Sequence, residues 1–210
     1  MYIPKSFKLE DKELIIQILN EFPFATIISN NSDGIQISHL PLVLDENSNS
    51  LVGHFARANN HAEDIDNKYV VAVFHGPHVY ISPSFYETQN TVPTWDYVNI
   101  HISGKLMITS SKEDLWEDVK FLTSKFESNS EKYSLNHLEP ENRERLLKGI
   151  IGFRIQIETI EAKAKLNQNH SIERQRLVAE KLKSSGKEND LYIARLIEWN
   201  LSGNNSLKSE

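Results

Sequence analysis

The alternation of apolar and polar residues predicts a chain built mainly of β-strands, with helices between them and after them. Apolar runs with a two-residue period, bounded by polar or Gly-containing turns, occupy residues 24–29, 35–44, 51–55, 69–74, 79–82, 98–109 and 150–160. Asp33-Gly34 is typical of a hairpin turn. Because the strands follow one another through such turns, we predict an antiparallel sheet, in a barrel or a sandwich, rather than a doubly wound parallel sheet.

Helical spacing of apolar residues predicts the helices, and local signals predict where elements end. The helices are expected at residues 8–22, 59–66, 111–126, 142–148, 172–184 and 190–200. A capping box begins the third of them, either Ser110 with Glu113 or Ser111 with Asp114. The sequence at positions 75–78, His-Gly-Pro-His, is expected to break the strand before it, and Gly104 is expected to form a β-bulge.

The length and composition are those of a globular protein with one sizeable core. Of the 210 residues 39% are hydrophobic, and no apolar run reaches the length that spans a bilayer. The absence of cysteine excludes disulfides, thiolate metal sites and a cysteine nucleophile. The N-terminus lacks the apolar segment of a signal peptide, so we expect a cytoplasmic protein. We divide the chain into a barrel domain at residues 1–169, a helical appendage at 170–203 and a flexible tail at 204–210.

The charge distribution gives little support to nucleic-acid binding. The formal net charge is −6, although the part from Glu161 onward carries nine Lys and Arg against seven Asp and Glu. DNA contact through the last two helices is one hypothesis, with basic residues at Arg174, Arg176, Lys181, Lys183 and Lys187. The apolar stripe of the same helices is explained more simply by packing, and their basic residues by a solvated surface.

A first candidate site is the segment of residues 53–61, which leaves a strand and enters a short helix. A guanidinium, Arg57, and amide donors near a helix N-terminus suit an anion, above all a phosphate. The alternative is that Arg57 pairs with Glu63 or Asp64 and that Asn59 merely caps the helix.

A second candidate site is the aromatic stretch of residues 74–104. It holds three Pro, two Gly, three His and six aromatic residues, a density unlike the rest of the chain. Aromatic side chains beside fixed turns form flat walls on which a planar heterocycle stacks. Ordinary packing at the corner of a barrel is the alternative. Together, residues 53–104 are expected to form the ligand-binding part of the protein.

Neither a metal site nor a catalytic site is predicted. His75 and His78 lack the further ligands of a known zinc or iron motif. Ser38 and His39 are adjacent on a strand, so their side chains point to opposite faces, and no nucleophile elbow is present. Two further cations, Lys163 and Lys165, share one face of the last strand, where they frame the sheet edge or hold an anion.

Seven motifs in register resemble the PaiB family, bacterial proteins described as FMN-binding-type negative transcriptional regulators. They are Tyr2-x-Pro4-x-x-Phe7, His39-Leu40-Pro41-Leu42, Gly53-His54-x-Ala56-Arg57-Ala58-Asn59, Phe74-x-Gly76-Pro77 with Tyr80-x-Ser82-Pro83, Val92-Pro93-Thr94-Trp95-x-Tyr97 with His101 and Gly104, Gly149-Ile150-x-Gly152-Phe153, and Lys163-x-Lys165-Leu166-x-Gln168-Asn169. The resemblance runs from Met1 to about Trp199. At one position the chain departs from the family, which usually has Ser where this chain has Asn167.

The resemblance implies a flavin-binding, antiparallel split β-barrel like that of pyridoxamine-phosphate oxidases, with inserted helices and a C-terminal helical pair. It also implies a homodimer with the site between subunits, and repression of genes for sporulation and degradative enzymes. The residues it places near FMN are Ser38, His39, Leu40, Arg57, Ala58, Asn59, His61, Trp95, Lys165, Gln168 and Asn169. The alternative to a regulator is a flavin- or haem-dependent oxidoreductase on the same fold. It is the less favoured hypothesis, because no catalytic acid or base is evident.

Overall fold

The computed structural model describes residues 1–31, 34–127 and 133–203, and the chain separates into two compact units. The first unit comprises residues 1–15, 75–100 and 162–203; the second comprises residues 16–74 and 101–161. The predicted hairpin turn lies partly outside the described residues, at Ser32 and Asp33, and the predicted flexible tail lies outside them entirely. The predicted domain boundary at residue 169 stays a prediction.

A seven-stranded antiparallel sheet confirms the predicted architecture. Its strands are β1 (Phe24–Asn31), β2 (Gly34–Pro41), β3 (Val43–Asp45), β4 (Ser50–Ala56), β5 (Tyr69–Ile81), β6 (Thr94–Ile108) and β7 (Ile150–Lys165). In the second unit they lie in the order β2-β1-β5-β6-β7-β4-β3. The ends of β5, β6 and β7 continue into residues of the first unit. In the second unit β2 also contacts β4, although the two are far apart in this order, so the sheet is strongly curled.

The buried face of the sheet carries the apolar residues that the two-residue period placed there. Ile27, Phe55, Phe74 and Phe153 are fully buried, and the rings of Phe55 and Phe153 lie 4.6 Å apart between centroids. This packing requires a glycine at position 53, because a Cβ atom there would lie 2.8 Å from the ring of Phe153. The absence of a side chain at Gly53 therefore makes room for the Phe153 ring in this core.

Three predictions about strand and helix ends are wrong. Strand β5 continues through the predicted break at positions 75–78. Its pairing with β1 ends at Phe74, so β1 requires no hydrogen bond from the position of Pro77, which has no N–H to donate. Strand β6 begins at Thr94 rather than at residue 98. The helix expected at residues 59–66 is a single 3₁₀ turn at Asn60–Ala62. At Gly104 the strands approach closely, since a Cβ atom would lie 1.9 Å from the Gln156 carbonyl oxygen.

Five α-helices lie where the apolar spacing predicted them, with ends shifted by a few residues. They are α1 (Lys12–Glu21), α2 (Lys112–Phe126), α3 (Pro140–Lys148), α4 (Ile172–Ser185) and α5 (Glu188–Leu201). The capping box uses the second of its two predicted pairs, because Ser111 Oγ accepts the hydrogen bond of the Asp114 backbone N–H. Helices α4 and α5 pack on each other through buried apolar residues. Packing of their apolar stripe on the barrel or on a second copy of the chain stays a prediction.

An arginine fastens α2 to the sheet in the second unit. The Arg154 guanidinium on β7 donates to Asp118 on α2 at 3.0 and 2.7 Å and to Asp45 on β3 at 2.8 Å. Thr109 Oγ1 donates a further hydrogen bond to Asp118, at 2.8 Å. Two carboxylates thus neutralise this cation, which makes it a structural element rather than a free charge.

Candidate functional site

Backbone carbonyls hold the guanidinium of Arg57, at the end of β4. Its Nε donates to the Lys148 carbonyl at 2.6 Å and its Nη2 to the Ile150 carbonyl at 2.8 Å. The backbone N–H of Arg57 also donates, to the Gly149 carbonyl at 2.8 Å. These oxygens are neutral, so they fix the direction of the guanidinium without cancelling its charge.

One half of the alternative expectation, an ion pair of Arg57 with Glu63 or Asp64, is wrong. The other half, the capping role of Asn59, is confirmed, because its Oδ1 accepts the His61 backbone N–H at 3.0 Å. Asp64 pairs with Lys68 at 3.3 Å, and among the described residues no carboxylate lies within ion-pair distance of Arg57. Three of the five N–H groups of the side chain are left for another acceptor. An exposed, oriented and unneutralised guanidinium is suited to two oxygens of an anion.

Next to this turn, a chain of hydrogen bonds joins Ser29, Ser38, Asn59 and His61. Ser29 Oγ donates to Asn31 at 3.1 Å and therefore accepts from His61 Nε2, 2.9 Å away. His61 Nδ1 is then unprotonated and accepts from Ser38 Oγ at 2.8 Å, while Asn59 Nδ2 donates to the same Ser38 oxygen at 3.0 Å. Burial lowers the pKa of His61, in keeping with the neutral ring that this pattern requires.

The other predicted residues of the second unit lie in different surroundings. His39 is exposed and lies on the opposite face of β2 from Ser38, where its Nδ1 is 3.0 Å from Thr26 Oγ1. Leu40 is part of the core, and Ala58 is exposed. The structure therefore brings Ser38, Asn59 and His61 together and leaves the side chain of His39 on the other face of β2.

In the first unit, Trp95 stands in an exposed aromatic group. Its ring is 53% exposed and lies 5.8 Å from the ring of Tyr80, edge to face, and 6.2 Å from the ring of His78. Alternate positions of β5 and β6 supply these three side chains, which is why they share a face. A half-exposed indole supported by two neighbours is a surface on which a planar ring can stack.

The Lys165 ammonium is bound within the first unit. It donates to Thr94 Oγ1 at 2.8 Å, to the Trp95 carbonyl at 2.7 Å and to Asp96 Oδ1 at 3.3 Å. An ammonium has three N–H donors, so all three are in use. Burial raises the pKa of Asp96 to about 6, although the Lys165 charge acts in the opposite direction.

The position that departs from the family, Asn167, is fully buried beside Asp96. Its Nδ2 donates to Asp96 Oδ2 at 2.5 Å, and its Oδ1 accepts from the Tyr86 hydroxyl at 3.3 Å. Its backbone has a φ of 61°, a left-handed conformation that Asn tolerates better than most residues. The amide side chain therefore completes the hydrogen bonding of a buried carboxylate, which the shorter Ser side chain would not reach in the same way.

The last two predicted residues are Gln168 and Asn169. Gln168 closes a loop on its own backbone, because its Oε1 accepts from the Leu166 N–H and its Nε2 donates to the Ala164 carbonyl, both at 2.6 Å. Asn169 is exposed. Sequence reasoning missed Asp96 and Tyr86, and the one signal for Asp96 was a carboxylate inside the aromatic stretch.

One cavity in the second unit contains none of the predicted residues. It measures about 380 Å³ and lies along the start of α2, where Asp118 and Arg154 already pair with each other. Across residues 1–31, 34–127 and 133–203, no group of three or more His, Asp and Glu side chains is placed to hold a metal ion. Within the same residues no helix combines the length and the apolar character needed to cross a bilayer.

Comparison with known proteins places this chain among flavin-related proteins. The family model described as "Putative FMN-binding domain" matches residues 1–159. The Bacillus subtilis (strain 168) "Protease synthase and sporulation protein PAI 2" is 35% identical over 202 residues, which cover 94% of this chain and 97% of that protein. Such identity over nearly both whole chains reflects the same fold and family.

Solved structures share the fold at low sequence identity. The flavocytochrome Anf3 of Azotobacter vinelandii superposes with a TM-score of 0.60 at 10% identity, covering 78% of this chain and 72% of that one. An FAD- and haem-binding protein of Mycobacterium smegmatis gives a TM-score of 0.57 at 12% identity, covering 75% and 73%. Together with the family match, they confirm the predicted split-barrel fold class with its C-terminal helical pair.

Replacing Asp96 by Asn is expected to change how stability depends on pH. The pKa of Asp96 is about 6 in the folded protein, against an ordinary value of about 3.9 in the unfolded chain. Between these values the folded state holds a proton that the unfolded state has lost, so rising pH lowers the free energy of unfolding. The loss is about 3 kcal/mol and is complete above about pH 7.

Urea unfolding at intervals from pH 4 to pH 7 measures this dependence. Asp96→Asn should remove the fall in the free energy of unfolding with pH that is due to Asp96. Glu46→Gln, at an exposed position, should keep the wild-type dependence on pH. Parallel curves for wild type and Asp96→Asn would show that the carboxyl is not protonated in the folded protein.

Proposed function

Because this chain belongs to the PaiB family of FMN-binding-domain proteins, we propose that it is a cytoplasmic, homodimeric FMN-binding protein and a negative regulator of transcription. The regulated genes would be those for sporulation and secreted degradative enzymes. The name of the Bacillus subtilis relative, a protease synthase and sporulation protein, supports this part of the proposal.

The observation that carries the flavin proposal is the unneutralised guanidinium of Arg57. A flavin phosphate is a dianion, and Arg57 is oriented by carbonyl oxygens with N–H groups to spare. Ser38, Asn59 and His61 form a rigid polar wall in the same unit. We propose that these residues hold the phosphate and ribityl chain.

In the first unit, taken by itself, we propose the aromatic group around Trp95 as a surface for a planar ring. An isoalloxazine is planar and needs one face against apolar or aromatic surface, which Trp95 and Tyr80 offer. The Lys165 ammonium is held beside Trp95, through the carbonyl of that residue. Contact between Lys165 and a flavin would therefore be made by replacing one of its present hydrogen bonds. Bound FMN would supply redox chemistry or a ligand-sensing state, while these residues bind and orient it.

Substituting Arg57 by Ala should weaken FMN binding by roughly 1.5 to 3 kcal/mol, because charge-assisted hydrogen bonds to phosphate are lost. The absorbance and fluorescence of FMN titrated with purified protein measure the affinity. Arg176→Ala is the matched control, since that residue is exposed on α4. Wild-type protein that is colourless and leaves near-millimolar FMN unbound would contradict the proposal.

An uncharged sheet face supports the homodimer. The outward side of β1, β2 and β5 in the second unit bears Phe24, Thr26, Ile28, Ile35, Ile37, His39, Tyr69 and Val71. It contains no Asp, Glu, Lys or Arg, in a chain of which 25% is charged, and Ile35 is 70% exposed. Strand β2 is also an edge strand without the charges that usually protect such edges. We propose that a second copy covers this face, which suits a symmetric interface because no like charges meet.

A lysine placed at Ile37 should weaken the dimer roughly tenfold or more, because the charge would be buried without a partner. Ile37 is exposed in the single chain, so the fold itself should tolerate the change. Sedimentation equilibrium over a range of protein concentrations measures the dissociation constant. Ile172→Lys, at an exposed position on α4, should leave it unchanged. Equal dissociation constants for the two variants would place the interface elsewhere.

The oxidoreductase alternative is favoured by one observation, the buried carboxyl of Asp96. A pKa of about 6 lets this group exchange protons near neutral pH, as a catalytic acid does. Direct DNA contact through α4 and α5 has less support, because two of their described basic residues are already in ion pairs. Arg174 pairs with Glu87, and Lys183 pairs with Glu198 at 2.5 Å.

Three measurements separate these functions: transcript levels in a deletion strain, and NAD(P)H turnover and promoter binding by the FMN-supplemented protein. A regulator should change transcript levels of the proposed genes when its own gene is deleted, and should show no steady-state oxidation of NAD(P)H with FMN or haem. If the protein binds a promoter fragment and this binding weakens steeply as the salt concentration rises, repression is direct. Sustained turnover of NAD(P)H with unchanged transcripts would favour the oxidoreductase.

A further inference from the structure

Two sequence motifs that the proposed function leaves unused meet in the first unit. The Tyr2 ring lies 5.7 Å from Lys163 Nζ, and the Phe7 ring lies 5.9 Å from Lys165 Nζ. A β-bridge joins Lys8 to Lys163, and the Leu9 N–H donates to the Ala162 carbonyl at 3.0 Å. The N-terminal residues are thus laid along the end of β7, over its two lysines.

The two lysines differ in how their charges are balanced. Lys165 has a carboxylate, Asp96, within 3.3 Å. Lys163 is only 8% exposed, yet among the described residues its ammonium makes no ion pair and no hydrogen bond. Its neighbours are two aromatic rings, those of Tyr2 and of Tyr97, the latter 5.1 Å away.

Aromatic rings compensate a buried ammonium only in part. A cation–π contact stabilises the charge through the electron-rich ring face, but it leaves the three N–H donors without acceptors. Burial of the Lys163 stem holds the ammonium in one place, while its nitrogen keeps access to solvent. The described residues therefore supply the walls around this cation and no carboxylate that pairs with it.

The site is also reachable. The Lys163 stem is enclosed, but its nitrogen is not sealed off from solvent in the way that the unpaired His54 Nδ1 and Gln175 Oε1 are. Tyr2, which forms one wall, is 83% exposed. An anion can therefore approach from the Tyr2 side with little rearrangement of the strands.

We propose that Lys163, between Tyr2 and Tyr97, is a binding point for a carboxylate or phosphate group of a small-molecule ligand. The anion would accept the free N–H groups of the ammonium and would complete its charge balance, while the rings exclude water on either side. This site goes beyond the proposed function, because it rests on Lys163 and holds whether or not Arg57 binds a flavin. The phosphate of a flavin and a separate small anion share this chemistry, and the test distinguishes them.

Isothermal titration at low ionic strength with inorganic phosphate, FMN and riboflavin tests the proposal on full-length protein. Lys163→Gln removes the charge and keeps the length of the side chain. Lys181→Gln, at an exposed position on α4 of the same unit, removes one charge elsewhere. We expect Lys163→Gln to bind phosphate roughly tenfold more weakly than wild type, and Lys181→Gln to bind it like wild type. Phosphate should also raise the Tm of wild type and of Lys181→Gln but not that of Lys163→Gln, which serves as a check independent of the heat signal.

The flavin titrations identify the source of the anion. Weaker FMN binding with unchanged riboflavin binding in Lys163→Gln would assign the site to the flavin phosphate. Unchanged FMN binding with weakened phosphate binding would assign it to a second anionic ligand. The proposal is overturned if Lys163→Gln matches Lys181→Gln in every titration, or if wild type binds neither phosphate nor FMN. An Arg57→Ala defect without a Lys163→Gln defect would leave the flavin proposal standing and remove this one.

Discussion

A buried carboxylate, that of Asp96, determines the arrangement of the first unit around β6 and β7. It is completely enclosed, so each of its oxygens requires a donor, and the Lys165 ammonium and the Asn167 amide supply them. Meeting this requirement fixes the left-handed backbone of Asn167 and orients the Tyr86 hydroxyl. It also uses one of the three N–H donors of Lys165, and Thr94 Oγ1 and the Trp95 carbonyl accept the other two. The cost of burying one charge therefore determines which neighbouring groups remain available for a ligand.

The second unit holds two arginines in opposite ways, and the contrast separates structure from function. Arg154 lies between two carboxylates and fastens α2 to the sheet, so its charge is cancelled where it stands. Arg57 is held as firmly, but by neutral carbonyl oxygens, so its charge persists. Carbonyl partners provide orientation without neutralisation, which is the combination that recognition of a phosphate requires. Both residues are conventional surface cations in the sequence, and only their partners distinguish them.

Local sequence patterns were sufficient to predict the strands, the helices and the fold class. Apolar periodicity located the strands and helices, and the motifs identified the family and its split barrel. Pro77 shows the limit of local reasoning: it suggested a strand break, but β1 pairing ends at Phe74, which a single strand does not reveal. Lys165 and Gln168 show the same limit for the site, because the sequence does not reveal that their side chains bind groups of the chain. Which donors are already occupied depends on contacts between residues about 70 positions apart in sequence, and no periodicity records them.

Four cations of the described residues form a series in which charge balance decreases stepwise. Arg154 has two carboxylates, Lys165 has one, Arg57 has carbonyl oxygens only, and Lys163 has aromatic rings. The formal net charge of −6 would repel anions at long range, and salt screens this repulsion beyond about 10 Å. Affinity for an anion must then come from local cations whose charge the fold has left unbalanced. By that criterion Arg57 and Lys163 are the two groups in this series able to attract one, and the acidic surroundings favour ligands that gain several oriented hydrogen bonds over simple ions.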